Sequence, residues 1–184
     1  MLPVPALPAI LFLLAVVPPP KVPGGHPSLD QDGKLVWVSQ RGESTRLFAN
    51  LKFNEIQCPR DSPFFAANPI TDVSDDLGAG HLETTDRVYV FKGKRIFRIF
   101  TGDPLIWDFW FRSRDRQIVV HSGCLHGCSQ FSLYDIRTGR ALKAFDECTA
   151  HRGIDNPPDW TLMPPASEGT YRWQIPPGPA ARRP

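Results

Sequence analysis

Residues 88–100 read Val-Tyr-Val-Phe-Lys-Gly-Lys-Arg-Ile-Phe-Arg-Ile-Phe, and this stretch decides the fold. β-branched and aromatic residues, which favour strands, stand on both sides of a short polar turn. Gly93 lies in that turn and can adopt the positive φ that a tight hairpin requires. The stretch therefore predicts a β-hairpin.

Two other stretches repeat this plan. Residues 35–48 pass a polar turn at Gly42, and residues 131–145 pass one at Gly139, with apolar segments on either side. Each therefore predicts a further antiparallel hairpin.

A fourth strand pair is predicted between the second and third hairpins. Residues 106–111 alternate so that Trp107, Phe109 and Phe111 share one face, and residues 117–121 return after a charged turn. No comparable stretch has an apolar period of 3.6 over more than two turns. We therefore expect an all-β fold, an antiparallel hairpin meander or sandwich.

The hairpin glycines fall at positions 42, 93 and 139, which are 51 and 46 residues apart, close to the length of one four-stranded propeller blade. Residues 87–145, with a Val-Tyr-Val strand, a Trp-Asp-Phe-Trp-Phe strand and a Leu-Tyr-Asp hairpin, resemble blades of the TolB-like and quinoprotein-like propeller repeats. The layout is also similar to small exported bacterial proteins of unassigned function, in which a His-Gly loop, here His126-Gly127, precedes a Leu-Tyr-Asp hairpin. The resemblance implies propeller-blade-like repeats. Because 184 residues provide at most three blades, too few for a closed propeller, we expect an open array or sandwich, with a ring of associated chains as the alternative.

Proline divides the chain into three parts. Of 20 prolines, seven lie in residues 1–25 and eight in residues 155–184, and proline lacks the amide that a central strand requires. Residues 8–17 are an uncharged apolar run typical of a secretory signal and too short to span a membrane as a helix. We predict an export signal and spacer at 1–25, a β domain at 26–150 and an extended proline-rich segment at 151–184.

These ends predict where the protein acts and what covers its β domain. We expect a periplasmic or secreted protein that meets a membrane only if its amino-terminal segment stays uncleaved. The carboxyl-terminal segment is expected to run as extended coil and to lay Trp160 and Trp173 over the edge of the domain.

The cysteines are an even set, which in an exported chain favours disulfides. Cys124 and Cys128 lie in one loop with two glycines, so we expect them to be bonded to each other and Cys58 to be bonded to Cys148. Crossed pairings, with Cys58 bonded to Cys124 or to Cys128, are the alternatives.

The same loop has a second interpretation as a metal or thiol-redox site. Cys124, His126 and Cys128 combine two thiols with an imidazole, a set that suits Zn, Cu(I) or iron–sulfur ligation, and His121 could add a ligand. The second ligand box that Rieske centres and zinc fingers use is missing, so structural disulfides are favoured and no cofactor is expected.

Other sequence features disfavour an enzyme and a nucleic-acid-binding protein. The chain has no Gly-x-Ser-x-Gly elbow, phosphate-binding loop or dinucleotide fingerprint. Its 21 Lys and Arg against 19 Asp and Glu give a net charge of only +2. The charged hairpin tips at 92–95, 114–116 and 137–140 are interpreted as solvated turns without a ligand.

We therefore expect a non-catalytic exported β domain that binds an envelope protein or a small ligand through open sheet edges and exposed aromatic ends. A metal-binding or thiol-redox protein is the alternative.

Overall fold

The computed structural model describes residues 24–60, 62–73, 82–124, 127–151, 156–164 and 170–174. The predicted signal at 8–17 and the spacer that follows it up to residue 23 lie outside these residues. The described strands are β1 (His26–Leu29), β2 (Leu35–Val38), β3 (Ser44–Arg46), β4 (Phe53–Pro59), β5 (Phe64–Pro69), β6 (Thr71–Val73), β7 (Leu82–Thr84), β8 (Arg87–Lys92), β9 (Arg95–Thr101), β10 (Leu105–Arg112), β11 (Gln117–Gly123), β12 (Ser129–Asp135), β13 (Ala141–Asp146) and β14 (Thr170–Gln174). A short helix, α1 (Glu147–His151), follows β13, and 3-10 turns occur at Ser113–Asp115 and Asp159–Thr161.

The fold is all-β, as predicted, and its sheets are antiparallel and open. The first sheet has the order β1-β2-β3, the central sheet the order β14-β4-β5-β8-β9, and the third sheet the order β10-β11-β12-β13. A two-stranded ribbon, β6-β7, leaves the central sheet between β5 and β8.

The three glycine-centred hairpins are confirmed, and each lies in a different sheet. They are β2-β3, β8-β9 and β12-β13, and Gly42, Gly93 and Gly139 at their turns all have positive φ. The predicted fourth pair is β10-β11, joined through the turn at Ser113–Asp115. Each glycine-centred repeat therefore corresponds to one of the three sheets.

The prediction that Trp107 shares one face of β10 with Phe109 and Phe111 is wrong for Trp107. The register with β11 shifts between Ile106 and Asp108, so Trp107 is the extra residue of a β-bulge. The bulge reverses the alternation, and Ile106 joins Phe109 and Phe111 in the core while Trp107 remains 41% exposed.

The central sheet is buried on both faces, which explains why its middle strands are apolar at successive positions. On β5, Phe64 and Ala66 contact the third sheet, whereas Phe65 and Ala67 contact the first sheet. On β8 the alternation repeats, with two valines toward the third sheet and Tyr89 and Phe91 toward the first. The rings of Phe65 and Phe91 stack with centroids 4.6 Å apart. The sheets therefore form three layers with two cores.

The carboxyl-terminal part covers the molecule in two places. Trp160 packs on the outer face of the third sheet, beside a small cluster that includes Trp110 and Leu133, whereas the sequence predicts that it covers the edge of the domain. The guanidinium of Arg112 donates to the carbonyls of Asp159 (2.9 Å) and Leu162 (3.3 Å), which holds this segment in place. Further along, the chain forms β14, an edge strand on β4, where the sequence predicts coil. The side chain of Trp173, on β14, lies outside the described side chains.

Candidate functional site

The described disulfide joins Cys128 to Cys148, with Cα atoms 5.3 Å apart. Cys124 is an exposed free thiol and Cys58 a buried one, so the predicted pairing of Cys124 with Cys128 and of Cys58 with Cys148 is wrong. Cys58 lies in the core between the first and central sheets, where it cannot reach Cys148 on α1. Burial raises the pKa of the Cys58 thiol far above its ordinary value, which makes it inert as a nucleophile.

The register of the third sheet explains the observed bond. Gln130 on β12 lies opposite Asp146 on β13, so two residues further out Cys128 lies opposite Cys148. On the other side of β12, the register with β11 ends at Gly123 opposite Ser129, and Cys124 directly follows this pair while Cys128 directly precedes it. Three cysteines therefore stand in one row across one end of the third sheet, with Cys128 in the middle.

The turn between Cys124 and Cys128 is tight. The amide of Gly127 donates to the carbonyl of Cys124 at 3.2 Å. A side chain at Gly127 would collide with the sulfur of Cys124, so this sulfur lies directly against Gly127. His126, the central residue of the predicted metal motif, lies outside the described residues.

His121, the fourth residue of that motif, packs against an aromatic ring. Its imidazole stacks on Phe131, with ring centroids 4.3 Å apart and an interplanar angle of 7°. Burial lowers the pKa of His121, and the nearby Glu147 carboxylate partly opposes this shift. Nε2 of His121 is buried without a hydrogen-bond partner among the described residues.

The described residues contain no group of three His, Cys, Asp or Glu side chains placed to hold a metal ion. Cys128 is also engaged in the disulfide, so its sulfur is not a free thiolate in this state.

An open groove of about 500 Å³ lies beside the disulfide, lined by Gln130, Phe131, Ser132, Ala144, Phe145, Asp146 and Thr149. One carboxylate, that of Asp146, organises its rim. It accepts from the side-chain amide of Gln130 at 3.3 Å and from the backbone amides of Cys148 (2.8 Å) and Thr149 (3.4 Å). Asp146 therefore fixes the start of α1 against the sheet.

A second candidate site joins strand β9 to the tip of the β12-β13 hairpin, which is far away in sequence. The guanidinium of Arg98 on β9 donates to the carbonyl of Arg137 at 2.7 Å and packs beside Gly139. Phe100 and Tyr134 meet beneath this contact, with ring centroids 4.7 Å apart. The hairpins β8-β9 and β12-β13 thus meet at this contact.

We call the surface of these two hairpins the cationic surface, because its exposed charged side chains are all positive: Lys92, Lys94, Arg95, Arg98, Arg137, Arg140 and Lys143. Among the described residues none of the seven forms an ion pair. Ile96, Ile99 and Leu142, each more than 40% exposed, lie on the same two strands. The sequence shows the charges of each tip, but only the contact at Arg98 shows that they converge.

Comparison with family models and with curated proteins gave no match. Within the described part of the chain, none of the helices has the length and apolar character needed to cross a bilayer.

Proposed function

We propose that this protein is a non-catalytic, exported β domain that binds an acidic, extended segment of an envelope protein along the cationic surface. The observation that carries the proposal is the contact between Arg98 and Arg137, which joins two hairpins whose outer strands have an open edge within the described chain. Their seven exposed cations form no ion pair among the described residues.

The free edges supply the backbone part of such binding. β9 is the last strand of the central sheet and β13 the last of the third sheet, so within the described chain each has one edge without a strand partner. An extended peptide can pair with an edge of this kind through main-chain hydrogen bonds, while alternate side chains choose the partner.

The charged side chains determine which peptide can bind. Lysine and arginine on an edge oppose pairing with a second copy of the same cationic edge, because like charges would be brought together. They favour a strand that carries carboxylates, and Ile96, Ile99 and Leu142 offer apolar contacts between the charges. An acidic segment with alternating apolar residues therefore fits best.

The disulfide supports the compartment in this proposal. A bond between Cys128 and Cys148 forms and persists in oxidising compartments, which agrees with a periplasmic or secreted protein. Amino-terminal sequencing of the protein from a secreting host tests this part, since an exported chain should lack its first residues.

A peptide-binding experiment tests the surface. The probe is a fluorescent peptide of alternating glutamate and valine, and its anisotropy is followed as protein is added. The double variant Arg95→Glu, Arg140→Glu should weaken binding by about tenfold or more, because two attractions become repulsions. The matched control, Arg41→Glu with Lys52→Glu, makes the same change of net charge at exposed positions outside the surface.

Equal weakening by both double variants would contradict the proposal, since only net charge would then matter. A peptide of the same sequence with N-methylated backbone amides should also bind more weakly. Undiminished binding of the methylated peptide would exclude strand pairing at the edge.

A further inference from the structure

The row of cysteines across the end of the third sheet gives Cys128 two possible partners. It is bonded to Cys148 on one side, and on the other side the free Cys124 directly follows Gly123, the residue paired with Ser129. Cys124 is exposed to solvent. This arrangement does not depend on the cationic surface.

We propose that this end of the sheet is a thiol–disulfide exchange site, in which Cys124 displaces Cys148 from Cys128. The thiolate of Cys124 attacks Sγ of Cys128, the Cys124–Cys128 bond forms, and the Cys128–Cys148 bond breaks. Cys148 leaves as a thiolate and takes up a proton equivalent to the one that Cys124 lost. One disulfide and one thiol are present before and after, so no oxidant or reductant is required.

The strand register makes both bonds accessible from nearly the same backbone. Residues directly opposite each other in antiparallel strands have Cα atoms about 4.5–5.5 Å apart. This distance lies within the range of about 4.4–6.8 Å that disulfides adopt. The observed bond, at 5.3 Å, lies in the same range, so neither form requires strands to separate.

The exchange changes what holds α1. In the observed form the disulfide ties α1 to the start of β12, next to the groove whose rim Asp146 organises. In the exchanged form the bond closes only the turn between β11 and β12, and α1 keeps the hydrogen bonds to Asp146 but loses its covalent link to β12. The two covalent forms therefore differ in how firmly one wall of the groove is fixed.

A pulse-labelling experiment on the full chain tests the proposal. The protein, purified without reductant, is incubated at alkaline pH, labelled briefly with iodoacetamide under native conditions and mapped by mass spectrometry. Label should appear first on Cys124 and then also on Cys148, at a rate independent of protein concentration. It should appear more slowly at acidic pH, because the thiolate is the attacking form.

Two variants complete the test. Cys124→Ala should remove the label on Cys148, whereas Cys58→Ala, which alters the buried thiol, should leave it unchanged. In Cys148→Ala treated with oxidised glutathione, Cys124 and Cys128 should bond to each other and escape alkylation. Label confined to Cys124 at all times in the unaltered chain would overturn the proposal, as would free Cys124 and Cys128 thiols in oxidised Cys148→Ala.

Discussion

Replacing Trp160 by alanine should expose the outer face of the third sheet and lower the stability of the whole domain. A tryptophan side chain buries about 150–250 Å² in contacts of this kind, and Trp160 is partly buried against the cluster around Trp110. Taking about 150 Å² at about 25 cal/mol per Å² gives roughly 4 kcal/mol. Residual burial in the unfolded chain reduces this to about 3 kcal/mol.

Urea unfolding followed by far-ultraviolet circular dichroism measures the loss, and the melting temperature should fall by about 5–10 °C. The matched control is Leu162→Ala in the same segment, because Leu162 is 56% exposed. Its effect should stay within about 0.5 kcal/mol. If the two variants lost the same stability, Trp160 would not be the residue that covers this face, and the packing argument would fail.

Three further predictions follow from other parts of the fold. Burial lowers the pKa of His121 below its ordinary 6.5, so the stabilisation from neutral His121 should be complete above pH 6.5 and be lost as the pH falls below it. Urea unfolding of His121→Phe at several pH values should show a weaker pH dependence than the unaltered protein. An unchanged pH profile would contradict this prediction. Both Gly25 and Gly24 have positive φ, but only at Gly25 would a Cβ collide with the Val38 carbonyl. In a thermal unfolding assay, Gly24→Ala should therefore lower stability by about 1 kcal/mol, and Gly25→Ala should lower it far more. Cys58 should react with iodoacetamide only in denaturant, and native labelling would show that its core opens.

The hairpins were predictable because their signal is local. The glycine predicts the turn, and the β-branched and aromatic segments on either side predict the two strands. All three such stretches form the expected hairpins. The strands β4 and β5 were not predicted. Their buried Glu55, Gln57 and Asn68 break the apolar pattern. The side-chain amide of Gln57 donates to Glu55 and to the Phe109 carbonyl, whereas Oδ1 of Asn68 has no hydrogen-bond partner among the described residues.

The disulfide at the end of the third sheet was less predictable, because it depends on the register in which β12 and β13 pair. The spacing of Cys124 and Cys128 suggests that they bond to each other, and only the pairing of Gln130 with Asp146 shows that Cys148 lies close to Cys128. A predicted pairing of Phe131 with Phe145 would have been enough to reveal this, since the same register extends to the two cysteines. The cationic surface gives no comparable signal, because its two hairpins meet only through tertiary contact.

The position of β14 affects the order in which this protein can fold. β4 has β5 on one side and β14 on the other, and β14 comes after every other described strand in the chain. A chain that emerges from a ribosome or a secretion channel with its amino terminus first therefore presents β4 as an open edge until residues 170–174 arrive. During that interval the central sheet can recruit a strand from another molecule, and a factor that holds this edge would increase the yield of folded protein.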